Sequence, residues 1–81
     1  MRSVKARAAD IASRLTAATG MAAHVEGIAT GTRVVAELPD RLSASAWRVV
    51  LAALVSADRY GHGCAEGRQQ VWVEVDREEP S

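Results

Sequence analysis

Between Ser43 and Tyr60 the chain carries Trp47, Val50, Leu51, Leu54 and Ala57 at three- and four-residue spacing, the repeat of one α-helical face. At about 100° per residue, only Ser45, Arg48, Ala52, Ser56 and Arg59 share one narrow strip, so most of the circumference is apolar or small. A helix of that kind is buried on more than one side and needs other layers around it. We expect it to fix the core, with Trp47 inside the stripe that Leu51 and Leu54 continue. The 81 residues leave room for one domain, burying about 60% of the surface that an unfolded chain exposes. We place that domain at residues 1–77 and read 78–81 as a polar tail.

From Arg2 to Thr19, Val4, Ala8, Ile11 and Leu15 form a second helical stripe, with Gly20 as its C-terminal stop. The opposite side, Ala6, Ala9, Ser13 and Ala17, is small and weakly polar. That suits either a partner or the plain helix-forming preference of alanine. Two extended runs follow, Ala22 to Ala29 and Thr32 to Leu38, and the Thr30–Gly31 step between them reads as a hairpin turn. Val34, Ala36 and Leu38 alternate with Arg33, Val35 and Glu37, the period of a half-buried strand. Gly27, inside the first run, suggests a bulge or a close helix approach. Pro39 and Asp40 end the hairpin, and Ser43 is placed to cap the helix that follows.

Gly61 stops that helix, and Gly61 to Gln70, glycine-rich and poor in apolar groups, reads as a surface loop. The last strand is Val71 to Asp76, where Val71, Val73 and Val75 alternate with Trp72, Glu74 and Asp76. The expected order is α-β-β-α-β: an α+β two-layer sandwich with both helices on one face of a three-stranded antiparallel sheet, strand order 2-1-3.

Hydrophobic residues at 48% and charged residues at 25% exclude a disordered or collagen-like chain. Ten basic side chains against ten acidic ones remove the charge excess that marks most nucleic-acid-binding domains. The charges are unevenly spread, with Arg2, Lys5, Arg7 and Arg14 near one end and Glu74, Asp76, Glu78 and Glu79 near the other. Solvated termini are the plainer explanation. Cys64 is alone, which excludes an internal disulfide and fits a reducing, cytoplasmic setting. Asp10, Ser13 and Arg14 interrupt any signal-peptide apolar run, and no stretch reaches the length of a membrane span.

If the valines face the helices, the other sheet face is left open with Ile28, Arg33, Val35, Glu37, Trp72 and Glu74. Trp72 offers a flat apolar surface on which Arg33 can stack. Such a face suits a protein interface or a base-stacking platform, and the carboxylates weigh against nucleic acid. The plainer alternative is one half-exposed aromatic shielded by long charged side chains. Asp58 falls on the apolar side of the second helix, at the negative end of its dipole, and needs compensation. We expect it to pin the loop Gly61-His62-Gly63, with His62, Arg59 or loop N–H groups as partners. The sharper reading is an Asp58–His62 pair tuned for proton transfer. His24, His62 and Cys64 lack the spacing and the fourth ligand of a zinc site, and nothing marks Cys64 as a nucleophile. Phosphate-binding loops and dinucleotide fingerprints are missing.

The run Ala57-Asp58-Arg59-Tyr60-Gly61-His62, followed by Val71-Trp72-Val73-Glu74, resembles a pattern in small actinobacterial proteins without an assigned activity, some encoded near plasmid- or phage-derived genes. The likeness covers roughly the second half of the chain. It implies a cytoplasmic bacterial protein and an accessory role for a mobile element, and it transfers no catalytic or binding residue.

The expected function is a non-enzymatic binding module that self-associates, as a homodimer, or docks on a protein partner through Ile28, Arg33, Val35, Trp72 and Glu74. No cofactor, metal, membrane or small-molecule substrate is expected. The alternative is a DNA- or RNA-binding accessory protein that uses Arg2, Lys5, Arg7 and Arg14.

Overall fold

The computed structural model describes residues 4–77; Arg2 and the tail 78–81 lie outside them. Two helices and four strands follow in the order α1 (Val4–Thr19), β1 (His24–Ile28), β2 (Gly31–Glu37), α2 (Ala44–Val55), β3 (Arg59–Ala65) and β4 (Arg68–Asp76). The sheet order is β1-β2-β4-β3, with every neighbouring pair antiparallel. The α+β class and the antiparallel sheet agree with the sequence reading. The strand count and the order 2-1-3 do not: Gly61 to Gln70 is mostly strand, and the last strand pairs with β2 rather than β1.

The fourth strand arises from a turn that the loop reading overlooked. Glu66 and Gly67 both have positive φ, 54° and 76°, the backbone of a two-residue hairpin turn whose twist matches that of its strands. Ala65 and Arg68 therefore face each other, and β3 pairs with β4 in unbroken register through Arg59 and Glu74. The chain is thus two successive α-β-β units, and their second strands, β2 and β4, meet at the sheet centre.

Local signals hold for both helices. Gly20 takes φ +73° and its N–H donates to Thr16 O at 2.9 Å, closing α1. Ser43, with extended backbone, accepts the Ala46 N–H on Oγ at 3.1 Å and caps α2. The C-terminus of α2 comes earlier than its apolar spacing indicates. Ser56 Oγ donates to Ala53 O at 2.7 Å and competes with the helical ladder, while Arg59 and Tyr60 leave to pair with Glu74 and Val73.

The core lies between the helices and one face of the sheet. Ala8, Ile11 and Leu15 of α1 and Val50, Ala53 and Leu54 of α2 meet Val34, Ala36, Val71, Val73 and Val75. Trp47 and Leu51 are not in it: they are 38% and 46% exposed. With only the sheet and α1 to pack against, α2 buries the side that carries Val50, Ala53 and Leu54 and leaves its outer flank in water.

At the first hairpin the turn residues are Ala29 and Thr30, and Gly31 already belongs to β2. Its need for glycine is space: a Cβ there would fall against Val75 O. Gly27 pairs in regular register with Thr32 and has open space around it, so it marks neither a bulge nor a helix approach.

Candidate functional site

The face away from the helices is uncovered, and cross-strand register orders it into rows. Glu26, Arg33, Glu74 and Arg59 stand directly opposite one another across β1, β2, β4 and β3, a row of alternating charge. Arg33 grips Glu74 Oε2 through Nε at 3.0 Å and Nη2 at 2.6 Å, and its Nη1 lies 3.9 Å from Glu26. Arg59 donates to Glu74 Oε1 at 3.1 Å and forms a two-pronged pair with Asp76. Paired charges opposite each other support the sheet, and forked guanidinium contacts are the stronger kind.

This row moves its own titrations. The Arg33 guanidinium, and after it that of Arg59, hold the Glu74 carboxyl below its ordinary range by hydrogen bonding. Arg59 is pushed above the usual arginine value, first by Asp76 and then by Glu74.

The adjacent row is His24, Val35, Trp72 and Gly61. Trp72 lies on the open side, partly exposed, and the outer edge of its indole rests on Gly61. The Arg33 guanidinium carbon sits 5.9 Å from its ring centre, within cation–π range. A third row, Glu37, Gln70 and Gly63, borders it, with Arg68 reaching Glu37 at 3.3 Å. Ile28, opposite Gly31 at the sheet corner, completes the residues named from the sequence. All five of Ile28, Arg33, Val35, Trp72 and Glu74 share this face. Arg59, assigned to a helix from sequence, joins them because β3 exists.

The basic residues of α1 form no comparable set. Arg7 Nη2 donates to Ser56 O at 3.4 Å and Nη1 lies 3.8 Å from Asp58, which ties α1 to the end of α2. Arg14 lies 3.3 Å from Asp10, one helical turn away. Lys5 is exposed, and Arg2 lies outside the described residues.

Asp58 pins a different place from the one expected. Its Oδ2 accepts the Asp76 N–H at 2.7 Å and its own N–H donates to Glu74 O at 3.1 Å, extending the β3–β4 ladder. The compensation for its charge is Arg7 and a backbone amide, not His62 or the glycine segment. His62 and Cys64 stand exposed on the helix-facing side of β3, while His24 is on the opposite face at the other edge. Among the described residues no group of three or more His, Cys, Asp or Glu side chains is placed to hold a metal ion. A recess of about 480 Å³ beside Leu38, Pro39 and Arg68 is lined by none of Asp58, His62 and Cys64.

One surface escaped the sequence reading. Trp47, Leu51 and Val55 repeat every four residues along α2 and are 38%, 46% and 64% exposed, and Tyr60 on β3 is 52% exposed. Its signal is the apolar circumference of α2, which spacing alone does not separate into a buried and an exposed side. No helix among the described residues is long and apolar enough to cross a membrane. Comparison of the chain with protein-family models, curated proteins and solved structures finds no match in any of the three.

Proposed function

We propose that this chain is a non-enzymatic binding module that docks a protein partner on its open sheet face. The observation that supports it most is the Val35–Trp72 row, an apolar strip left uncovered between rows of paired charges. An apolar centre with a polar, ordered rim is the usual composition of a protein contact. Arg33 and Arg59 are engaged by Glu74 and Asp76, so a phosphate would have to displace carboxylates to reach them. That favours protein over DNA or RNA, as does the engagement of Arg7 and Arg14 elsewhere. The exposed lone Cys64 favours a reducing, cytoplasmic setting. We further propose an accessory or regulatory role for a mobile element, the setting that the sequence resemblance implies.

The test is capture from the source cell with wild type and a Val35→Glu variant, which places a charge in the apolar row without touching the core. A protein retained by wild type and lost with the folded variant supports the reading. Identical captures, or a gel shift with nucleic acid at low salt that Val35→Glu leaves intact, would sink it.

A further inference from the structure

Among the described residues β3 is a free sheet edge, and it lacks the devices that keep such edges from pairing. Edge strands are normally short, interrupted by proline or a bulge, or guarded by an unpaired charge. β3 spans seven residues without proline or acid, pairs in regular register, and has as its one formal charge Arg59, already held by Glu74 and Asp76. The other edge, β1, is shorter at five residues and carries at its middle Glu26, which is 59% exposed and only loosely paired, 3.9 Å from Arg33. Two β1 strands paired antiparallel about their centres would set Glu26 against Glu26, a like-charge contact.

The same operation on β3 is self-complementary. About His62 it sets Arg59 opposite Ala65, Tyr60 opposite Cys64, and Gly61 opposite Gly63. That pairing also supplies a reason for Gly63. Gly20 and Gly67 have positive φ, and Gly31 and Gly61 are crowded, but Gly63 has ordinary φ and nothing within 4 Å of a Cβ. A glycine inside a strand costs about 0.5–1 kcal/mol relative to alanine, and inside one chain Gly63 gains nothing for it. Across the pairing it faces the Gly61 that carries the Trp72 indole, where a side chain would meet the outer edge of the ring. Gly27, on β1, has no such explanation.

The apolar flank of α2 borders this edge. Ala46 and Val49 line a recess with Ala17 and Ala18 of α1, which puts the Trp47–Leu51–Val55 stripe on the flank away from α1, beside β3. Trp47 also shares a recess with Gln69, the register partner of Cys64. Antiparallel edge pairing keeps both helical layers on one side of the joined sheet, so these stripes approach each other across the axis. An isologous contact requires that one patch meet itself.

We propose that a second copy of this chain docks on the β3 edge, the two strands pairing antiparallel about His62 to join the two four-stranded sheets into one. The open faces then become continuous. Gly61 and Gly63 of both copies form a side-chain-free strip between the two Trp72 indoles, a platform that one chain alone does not complete.

The register is tested directly by Tyr60→Cys. Opposed residues of an antiparallel pair have Cα atoms about 4.5–5.5 Å apart, within the roughly 4.4–6.8 Å that a disulfide spans, so oxidation should link the new thiol to Cys64 of the second copy. Wild type at high micromolar concentration should sediment at twice the 8.6 kDa of one chain, and Gly63→Val should sediment as one chain with an unchanged circular-dichroism spectrum. His62→Lys, which opposes two ammonium groups at the axis, should do the same if Gly63→Val disturbs the fold. A single-chain mass for wild type, or cross-linking no greater than in a Val25→Cys control, would overturn the proposal.

Discussion

The Trp72 indole lies over the backbone of Gly61, so closely that a Cβ at Gly61 would fall 2.5 Å from ring atoms Cε2 and Cζ2. The residue directly opposite Trp72 on β3 is therefore a glycine because the ring occupies the place of its side chain. Two residues along the same strand, Gly63 has open space. The two glycines should answer differently to the same change. Gly61→Ala should destabilise the fold by about 1–3 kcal/mol through overpacking and alter the near-ultraviolet signal of the tryptophans. Gly63→Ala, measured at a concentration low enough to keep the chain monomeric, should leave unfolding in denaturant within about 0.5 kcal/mol of wild type or slightly raise it. Equal losses would show that the ring does not rest on Gly61.

Glu74 contributes to stability through ionisation. Its carboxyl is held below its ordinary range by Arg33 and Arg59, so its contribution is fully present above the unfolded-state pKa, about 4.3. It is lost as the pH falls through the lower folded value. The stability gap between wild type and Glu74→Gln, measured by urea denaturation, should be largest near neutral pH and should close below about pH 4. Salt should narrow it too, because Arg33 and Arg59 are partly exposed. A gap independent of pH would remove the charged row as its source.

Asp58 fastens the start of β3 to the end of β4 through the Asp76 amide. Asp58→Ala should cost about 1–2 kcal/mol, the scale of a hydrogen bond to a charged acceptor in a partly exposed site. It should also raise hydrogen exchange at the Asp76 amide selectively. Because His62 is not its partner, the effects of Asp58→Ala and His62→Ala should add. A coupling above about 0.5 kcal/mol would contradict that.

The Glu66–Gly67 turn carries the second hairpin. Gly67→Ala forces a side chain into the left-handed region and should cost about 1–2 kcal/mol, whereas Glu66→Asn, at φ 54°, should gain a few tenths because asparagine tolerates that region. Thermal unfolding of the two variants should therefore move in opposite directions.

Much of this molecule is decided locally. The stripe of α1, the glycine that ends it, the Ser43 cap and the alternation of Val71, Val73 and Val75 each act within a few residues, and each is readable as a string. Alternation also forecast that Arg33, Val35, Trp72 and Glu74 would share a face, because a two-residue period leaves no other arrangement. β3 was hidden because Arg59-Tyr60-Gly61-His62-Gly63-Cys64-Ala65 has no apolar alternation of its own: an edge strand with one face under an indole and the other half open needs none. Its local signal was Glu66-Gly67, a turn pair that only pairing with β4 makes decisive. Which strand lies at the centre, where α2 stops and whether Trp47 is covered depend on contacts between segments distant in sequence. Spacing along a helix shows which side is apolar; only the number of layers available to cover it decides how much of that side leaves water.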